Sequence, residues 1–202
     1  MAGITINPAL VTNAAGSFSI TSEGYVQGVM LDDPAVRFAL ATGIVSSAAS
    51  TPFWGGMGIT DSLWTPGAES PSVQSVLTLA TSQANLTGFT VFNQANAMIQ
   101  STNSPAPLAP VTGAINFFRL GSGARIAVAC SATVAAALQG GASNQAVYWD
   151  YTNQVLLNAP GGTAIAVKVI DVNIGNSMVV SYASGTGFAT WNRSGSTAII
   201  QI

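Results

Sequence analysis

The sequence predicts an all-β protein: a compact β-sandwich or β-barrel of short antiparallel strands with an extended N-terminal arm. Short runs of β-branched and aromatic residues alternate with small polar ones along most of the chain, and Gly, Asn and Ser punctuate them where tight turns are needed. No repeat of fixed period organises these runs, which disfavours a solenoid or a propeller. At 202 residues, 49% of them hydrophobic, the chain is long enough to bury a substantial core.

Residues 1–20 are apolar but interrupted by Pro8, Asn13 and Gly16, a pattern suited to an extended arm that finds its partner on another chain. Residues 21–202 form the β-rich domain. Tyr25 to Leu31 and Val36 to Thr42 read as strands, with Asp32-Asp33-Pro34 as the turn between them. Gly55-Gly56-Met57-Gly58 reads as a flexible loop, Ser72 to Ala80 and Gly88 to Phe92 as strands, and Gln94 to Gln100 as a helical turn. The Ser101 to Pro107 stretch resists both helix and ladder and is the best linker, so the domain has room for two lobes divided near 101–112.

The second half is more strongly patterned. Ala114 to Leu120 and Arg125 to Ala129 flank Gly121-Ser122-Gly123, a loop able to adopt positive φ, and the trio reads as a hairpin. A second hairpin runs from Ala146 to Tyr151, turns at Thr152-Asn153 and returns along Gln154 to Leu157. Ala164 to Ile170 places Ile165, Val167 and Val169 on one face of a strand and Lys168 on the other. Ser177 to Tyr182, Phe188 to Trp191 and Ala198 to Ile202, separated by turns at Gly185-Thr186-Gly187 and 193–196, read as a three-stranded meander.

Charge is scarce: only 6% of residues are Asp, Glu, Lys or Arg, against the roughly one quarter usual in soluble domains. With no His, neither a Ser-His-Asp triad nor a Cys-His pair can be assembled, and no G-x-S-x-G elbow or Gly-Lys-Ser/Thr phosphate loop is present. The sequence therefore predicts no catalytic residues, no metal site and no cofactor. A glycosidase-like carboxylate pair would have to come from Glu23, Asp32, Asp33, Asp61, Glu69, Asp150 and Asp171; Asp32-Asp33-Pro34 reads instead as a turn, and Asp150 as a turn acceptor. Trp149-Asp150-Tyr151 also has the make-up of a sugar platform, although a strand packing its aromatics inward is the plainer reading.

The five basic residues are dispersed and outnumbered by seven acidic ones, so direct nucleic-acid binding is not expected. The most apolar stretch, Ile126 to Leu138, falls short of the ~20 residues that span a bilayer, and no membrane association is expected. The N-terminus carries neither a basic nor a long apolar leader region, which predicts synthesis in the cytoplasm of the producing cell. Cys130, the single cysteine, excludes an internal disulfide and reads as a small core residue. Phe53, Trp54, Met57 and Trp64 sit in a Gly- and Pro-flanked stretch and are the candidate interface residues, with core packing as the competing role.

The C-terminal third carries Trp149-Asp150-Tyr151-Thr152-Asn153-Gln154, Gly175 to Tyr182, and Gly185 to Trp191 leading into Ala198-Ile199-Ile200-Gln201-Ile202. In these motifs it resembles the structural cement, or decoration, proteins of tailed-bacteriophage capsids. The resemblance covers about 55 residues of turns and strands. It implies a non-enzymatic virion protein on the capsid exterior that binds the assembled head and bridges major capsid protein subunits. A symmetric dimer or trimer fits that role. A tail or baseplate component, or a carbohydrate- or receptor-binding module, are the alternatives.

Overall fold

The computed structural model describes residues 4–6, 18–20, 24–31, 36–63, 75–92, 106–159 and 162–202. Two β-layers dominate. Strands β1 (Ile4–Ile6) and β2 (Phe18–Ile20) form a separate antiparallel pair, with Ile4 opposite Ile20. Both strands lie inside the segment predicted as an arm. Among the described residues neither strand joins a larger sheet.

A closed five-stranded barrel follows, built from β4 (Ala41–Val45), β5 (Gly58–Leu63), β6 (Ser75–Leu79), β7 (Gly88–Val91) and β8 (Ala114–Arg119) in the order β4-β6-β5-β7-β8. The remaining strands form a six-stranded sheet: β3 (Met30–Leu31), β9 (Arg125–Cys130), β10 (Tyr148–Asp150), β11 (Val155–Leu157), β12 (Lys168–Ala183) and β13 (Phe188–Gln201). The all-β expectation is met by a barrel with a sheet laid against it.

The alternation within β7 and β8 explains this arrangement. Phe117 faces the barrel interior with Ile115, Ile59, Leu77, Val45, Phe53 and Met57, all essentially inaccessible. Phe118, the next residue, faces outward with its cross-strand partner Phe89 and packs against Ile126, Val128 and Trp149 of the sheet. Since successive side chains of a strand point to opposite faces, a wall buried on both sides needs apolar residues in series. Asn116 and Thr90 are buried polar residues on this wall, and Asn116 accepts a bond of 2.7 Å from the hydroxyl of its cross-strand partner Thr42.

Three predicted features are corrected by this layout. β8 and β9 are strands flanking Gly121-Ser122-Gly123, and Gly121 and Gly123 do take φ of +85° and +78°. They do not form a hairpin: β8 pairs with β4 and β7, whereas β9 pairs with β13, β11 and β3. The change of layer falls at these glycines rather than near 101–112. Ala106 of the predicted linker and Ala109 just beyond it are instead buried, their N–H groups donating to Ala189 and Phe53 carbonyls at 3.1 and 2.7 Å.

The predicted meander is a single long hairpin, with β12 of 16 and β13 of 14 residues. Its register shifts on either side of Ser177, beside Gly175 at φ +67°. Gly195 makes a close crossing instead of a turn, for a Cβ there would lie 2.4 Å from Val179 Cγ2. The hairpin from Tyr148 to Leu157 is observed as predicted, Trp149 opposite Leu156.

Helix α1 (Ala132–Leu138) was absent from the sequence expectation. Ser131 caps it by accepting a bond from Val134 N–H at 3.2 Å, and Val134, Ala135 and Leu138 form its buried face. The helical turn expected at Gln94 to Gln100 and the turn at Asp32-Asp33-Pro34 lie outside the described residues. Val36 to Thr42 is a 3-10 turn, Arg37–Ala39, leading into β4.

Residues 24–31 tie the layers together. Val26 bridges Met178 of β12, Met30 pairs with Ile126 of β9, and the Gly28 carbonyl accepts from Phe92 N–H beyond β7 at 2.9 Å. Gly28 has φ +79°, and a Cβ would lie 2.4 Å from Gly55 Cα. Replacing it with Ala combines left-handed backbone strain with backbone overpacking. Chemical denaturation of Gly28→Ala should show a loss of about 2 to 5 kcal/mol; a loss below about 0.5 kcal/mol, the scale of a neutral surface change, would contradict the contact.

Candidate functional site

The predicted interface residues do not form one exposed cluster. Phe53 and Met57 are 0% and 1% exposed in the barrel interior, so neither can meet a partner in the folded chain. Thr90 holds their loop in place. Its hydroxyl accepts from Met57 N–H at 2.9 Å and donates to the Trp54 carbonyl at 2.6 Å, while its own carbonyl accepts from Gly56 N–H at 2.7 Å. The loop predicted to be flexible is thus bonded and buried from Gly55 through Gly58. Trp54 is half-buried, its ring 5.5 Å from that of Tyr182, and Trp64 lies outside the described residues.

Other large apolar side chains take the exposed positions: Leu63 at 96%, Phe38 at 94% and Phe188 at 69%. Register places them. Leu63 ends β5 opposite Ser75 at the start of β6, and Phe38 lies in the 3-10 turn Arg37–Ala39 that leads into β4, which runs parallel to β6. Both therefore lie at the barrel end where β4 and β6 begin. β7 finishes at the opposite end, and there Trp54 and Phe92 receive Tyr182 and Trp191 of the long hairpin. Phe188 starts β13 beside the turn of that hairpin. In a single sequence each of these side chains reads as one more strand residue, and nothing local marks it as exposed.

The described carboxylates are each engaged in holding the fold. Asp61 on β5 pairs with Arg119 on β8 at 2.8 Å, and Arg119 also donates to Ser75 Oγ at 3.2 Å. Asp171 accepts from the Tyr25 hydroxyl; that bond, with burial and the carboxylate charge, raises the phenol above its ordinary 10.0. Asp150 Oδ1 accepts from the N–H groups of Thr152 and Asn153, both at 2.9 Å, and Oδ2 from Asn153 Nδ2 at 2.7 Å. Glu23, Asp32, Asp33 and Glu69 lie outside the described residues. Among the described residues no three His, Cys, Asp or Glu side chains form a metal-holding group, and no helix is long and apolar enough to cross a membrane.

Trp149 is not a sugar platform. It is 4% exposed, meets Phe89 edge-on at 4.9 Å, and donates from Nε1 to Gln154 Oε1 at 3.3 Å. Gln154, buried at positive φ of 56°, also accepts from Gly58 N–H at 2.8 Å and donates to the Tyr151 carbonyl at 2.9 Å. The β10–β11 turn is thereby locked to the barrel. Cys130 is buried, and desolvation pushes its thiol up to about 12, so it holds no reactive thiolate.

Comparison of the chain with protein-family models, with curated proteins and with solved structures finds no match.

Partial burial alone would raise the Asp150 carboxyl, but the Asn153 side chain and the Asn153 and Thr152 N–H groups outweigh it and hold it below the ordinary 3.8. A lowered folded-state value means a stabilising contribution that is complete above the unfolded carboxyl's titration and lost as pH falls through the folded value. Thermal unfolding from about pH 6 to about pH 2 should therefore show the chain and its Asp150→Asn variant converging as pH drops. A gap independent of pH would mean that the turn does not favour the ionised form.

Proposed function

We propose that the protein is a non-enzymatic structural component of a virion: a capsid decoration protein on the outer surface of a tailed-phage head, bridging major capsid protein subunits. The observation that carries this reading is the exposure of Leu63 and Phe38 at one end of a closed barrel and of Phe188 beyond the other. Two apolar footholds separated by a rigid body suit a bridge between neighbouring subunits, since burying them at contacts gains apolar area without ordering the body that carries them. The resemblance of the C-terminal motifs to cement proteins supports the same reading, because those motifs make up the β10–β11 hairpin and the long β12–β13 hairpin.

A protein that binds the assembled lattice and not its free subunits stabilises the lattice by mass action. Outward pressure on the shell must then break the added contacts as well as the subunit contacts. With five basic and seven acidic residues in the chain, these contacts rest on apolar cores with polar rims, and a symmetric homo-oligomer would multiply the footholds on a symmetric shell.

Fluorescently labelled protein added separately to expanded empty heads and to purified tails should bind the heads. Leu63→Glu combined with Phe188→Glu should weaken that binding by roughly tenfold or more, the effect of losing a hot-spot contact, with Tm unchanged. Raising salt from about 0.1 to about 1 M should release little protein. Binding to tails alone, or release by modest salt, would overturn the reading.

Deletion of residues 1–20 should weaken head binding more than it lowers Tm, since β1 and β2 pair with each other and, among the described residues, with neither core-forming sheet. A large fall in Tm of the isolated protein would assign the segment to the core instead.

A further inference from the structure

A cleft of about 570 Å³ opens between the β10–β11 hairpin and the 3-10 turn Gln83–Asn85, within the roughly 300–1,000 Å³ range of small-molecule sites. Its wall carries Thr81, Ser82, Gln83, Tyr148, Thr152 and Thr163. Among its lining residues Asp150 is the only charged one. We propose that this cleft binds a neutral sugar.

Both walls are set before any ligand arrives. On one side Asn85 Oδ1 accepts from the N–H groups of Thr81 and Ser82 at 3.1 and 2.9 Å, while its Nδ2 donates to Thr81 Oγ1 at 2.9 Å. On the other, the Asp150 and Gln154 bonds hold the turn. A preformed polar cleft spares a ligand the ordering cost that weakens binding to mobile loops.

The lining chemistry selects the ligand class. Tyr148 is half-buried and stands opposite Leu157 on the outward face of the hairpin, so its ring borders the cleft with an aliphatic neighbour beside it. A sugar presents one face of C–H groups that packs on such a ring and a rim of hydroxyls that needs donors and acceptors together. Hydroxyls and the Gln83 amide supply both. Thr81 Oγ1 accepts from Asn85 and keeps its own O–H to donate, and the Tyr148, Thr152 and Thr163 hydroxyls have no partner among the described residues. Asp150 Oδ2 receives a single bond, from Asn153, and retains acceptor capacity for a sugar hydroxyl. With no cation in the lining, that carboxylate disfavours acidic sugars.

The inference is independent of the capsid reading, because sugar binding and head binding are separate measurements. Titration calorimetry of the full chain with maltose, lactose, cellobiose and N,N′-diacetylchitobiose, and with sialyllactose and glucuronic acid as acidic probes, tests it. At least one neutral disaccharide should bind with Kd of about 1 mM or tighter, a weak but specific affinity. Tyr148→Ala should weaken that binding by about tenfold or more. Gln83→Ala, at a half-buried turn position outside both core clusters, should weaken it by about threefold or more with Tm unchanged. Failure of all four neutral probes to bind, preference for the acidic probes, or binding untouched by Gln83→Ala would overturn the proposal.

Discussion

Phe117 and Phe118 point in opposite directions from one strand, and the architecture depends on that opposition. Phe117 helps fill the barrel, while Phe118, with Phe89 beside it, forms the ground on which the six-stranded sheet lies. One wall thus serves two cores. Each fully buried phenylalanine contributes about 1.5 to 3 kcal/mol of apolar burial, and loosening the wall would expose both layers together. The barrel and sheet are therefore bound into one unit, although the chain finishes the barrel before most of the sheet is made.

The residues that complete the unit are backbone-directed polar groups, not ion pairs. Thr90 bonds the loop across the barrel, Gln154 joins the β10–β11 turn to Gly58, and Gln27 Oε1 accepts from Val180 N–H on β12 at 2.9 Å. Ser177 and Thr197 share a hydroxyl contact of 2.8 Å inside the long hairpin. Buried neutral groups of this kind cost little when each is satisfied, whereas buried charges would each demand a partner. A chain with so few charges can therefore be dense inside and still carry a surface whose contacts change little with salt. That surface, with apolar side chains at one end of the barrel and on the long hairpin beyond the other, is what the proposed clamp rests on.

Much of the local structure is legible in the residues. The strand expected over Ala164 to Ile170 begins only at Lys168, but the alternation correctly puts Val169 inward and Lys168 outward, and Thr152-Asn153 correctly marks a hairpin turn. Ser131 before an alanine-rich run was a readable start for α1, obscured because the same run continues β9 without a change in hydrophobicity. Exposure was far less legible. Phe53 and Leu63 both stand in glycine- and proline-flanked sequence, yet the first is sealed beneath the strands and the second is open to water, because only the path of the loop decides which ring or branch lies under the wall.

The sequence by itself determined the class of structure, the turns at Thr152-Asn153 and Gly185-Thr186-Gly187 and the absence of histidine-based chemistry, since period, turn chemistry and composition are local properties. Tertiary structure alone decided strand partners. Alternation tells which face a side chain takes but carries no information on which strand lies beside it. In β8 and β9, consecutive in the chain and buried on both faces, it was equally consistent with a hairpin and with membership of two layers. Packing Phe118 against the sheet and Phe117 inside the barrel required them to part.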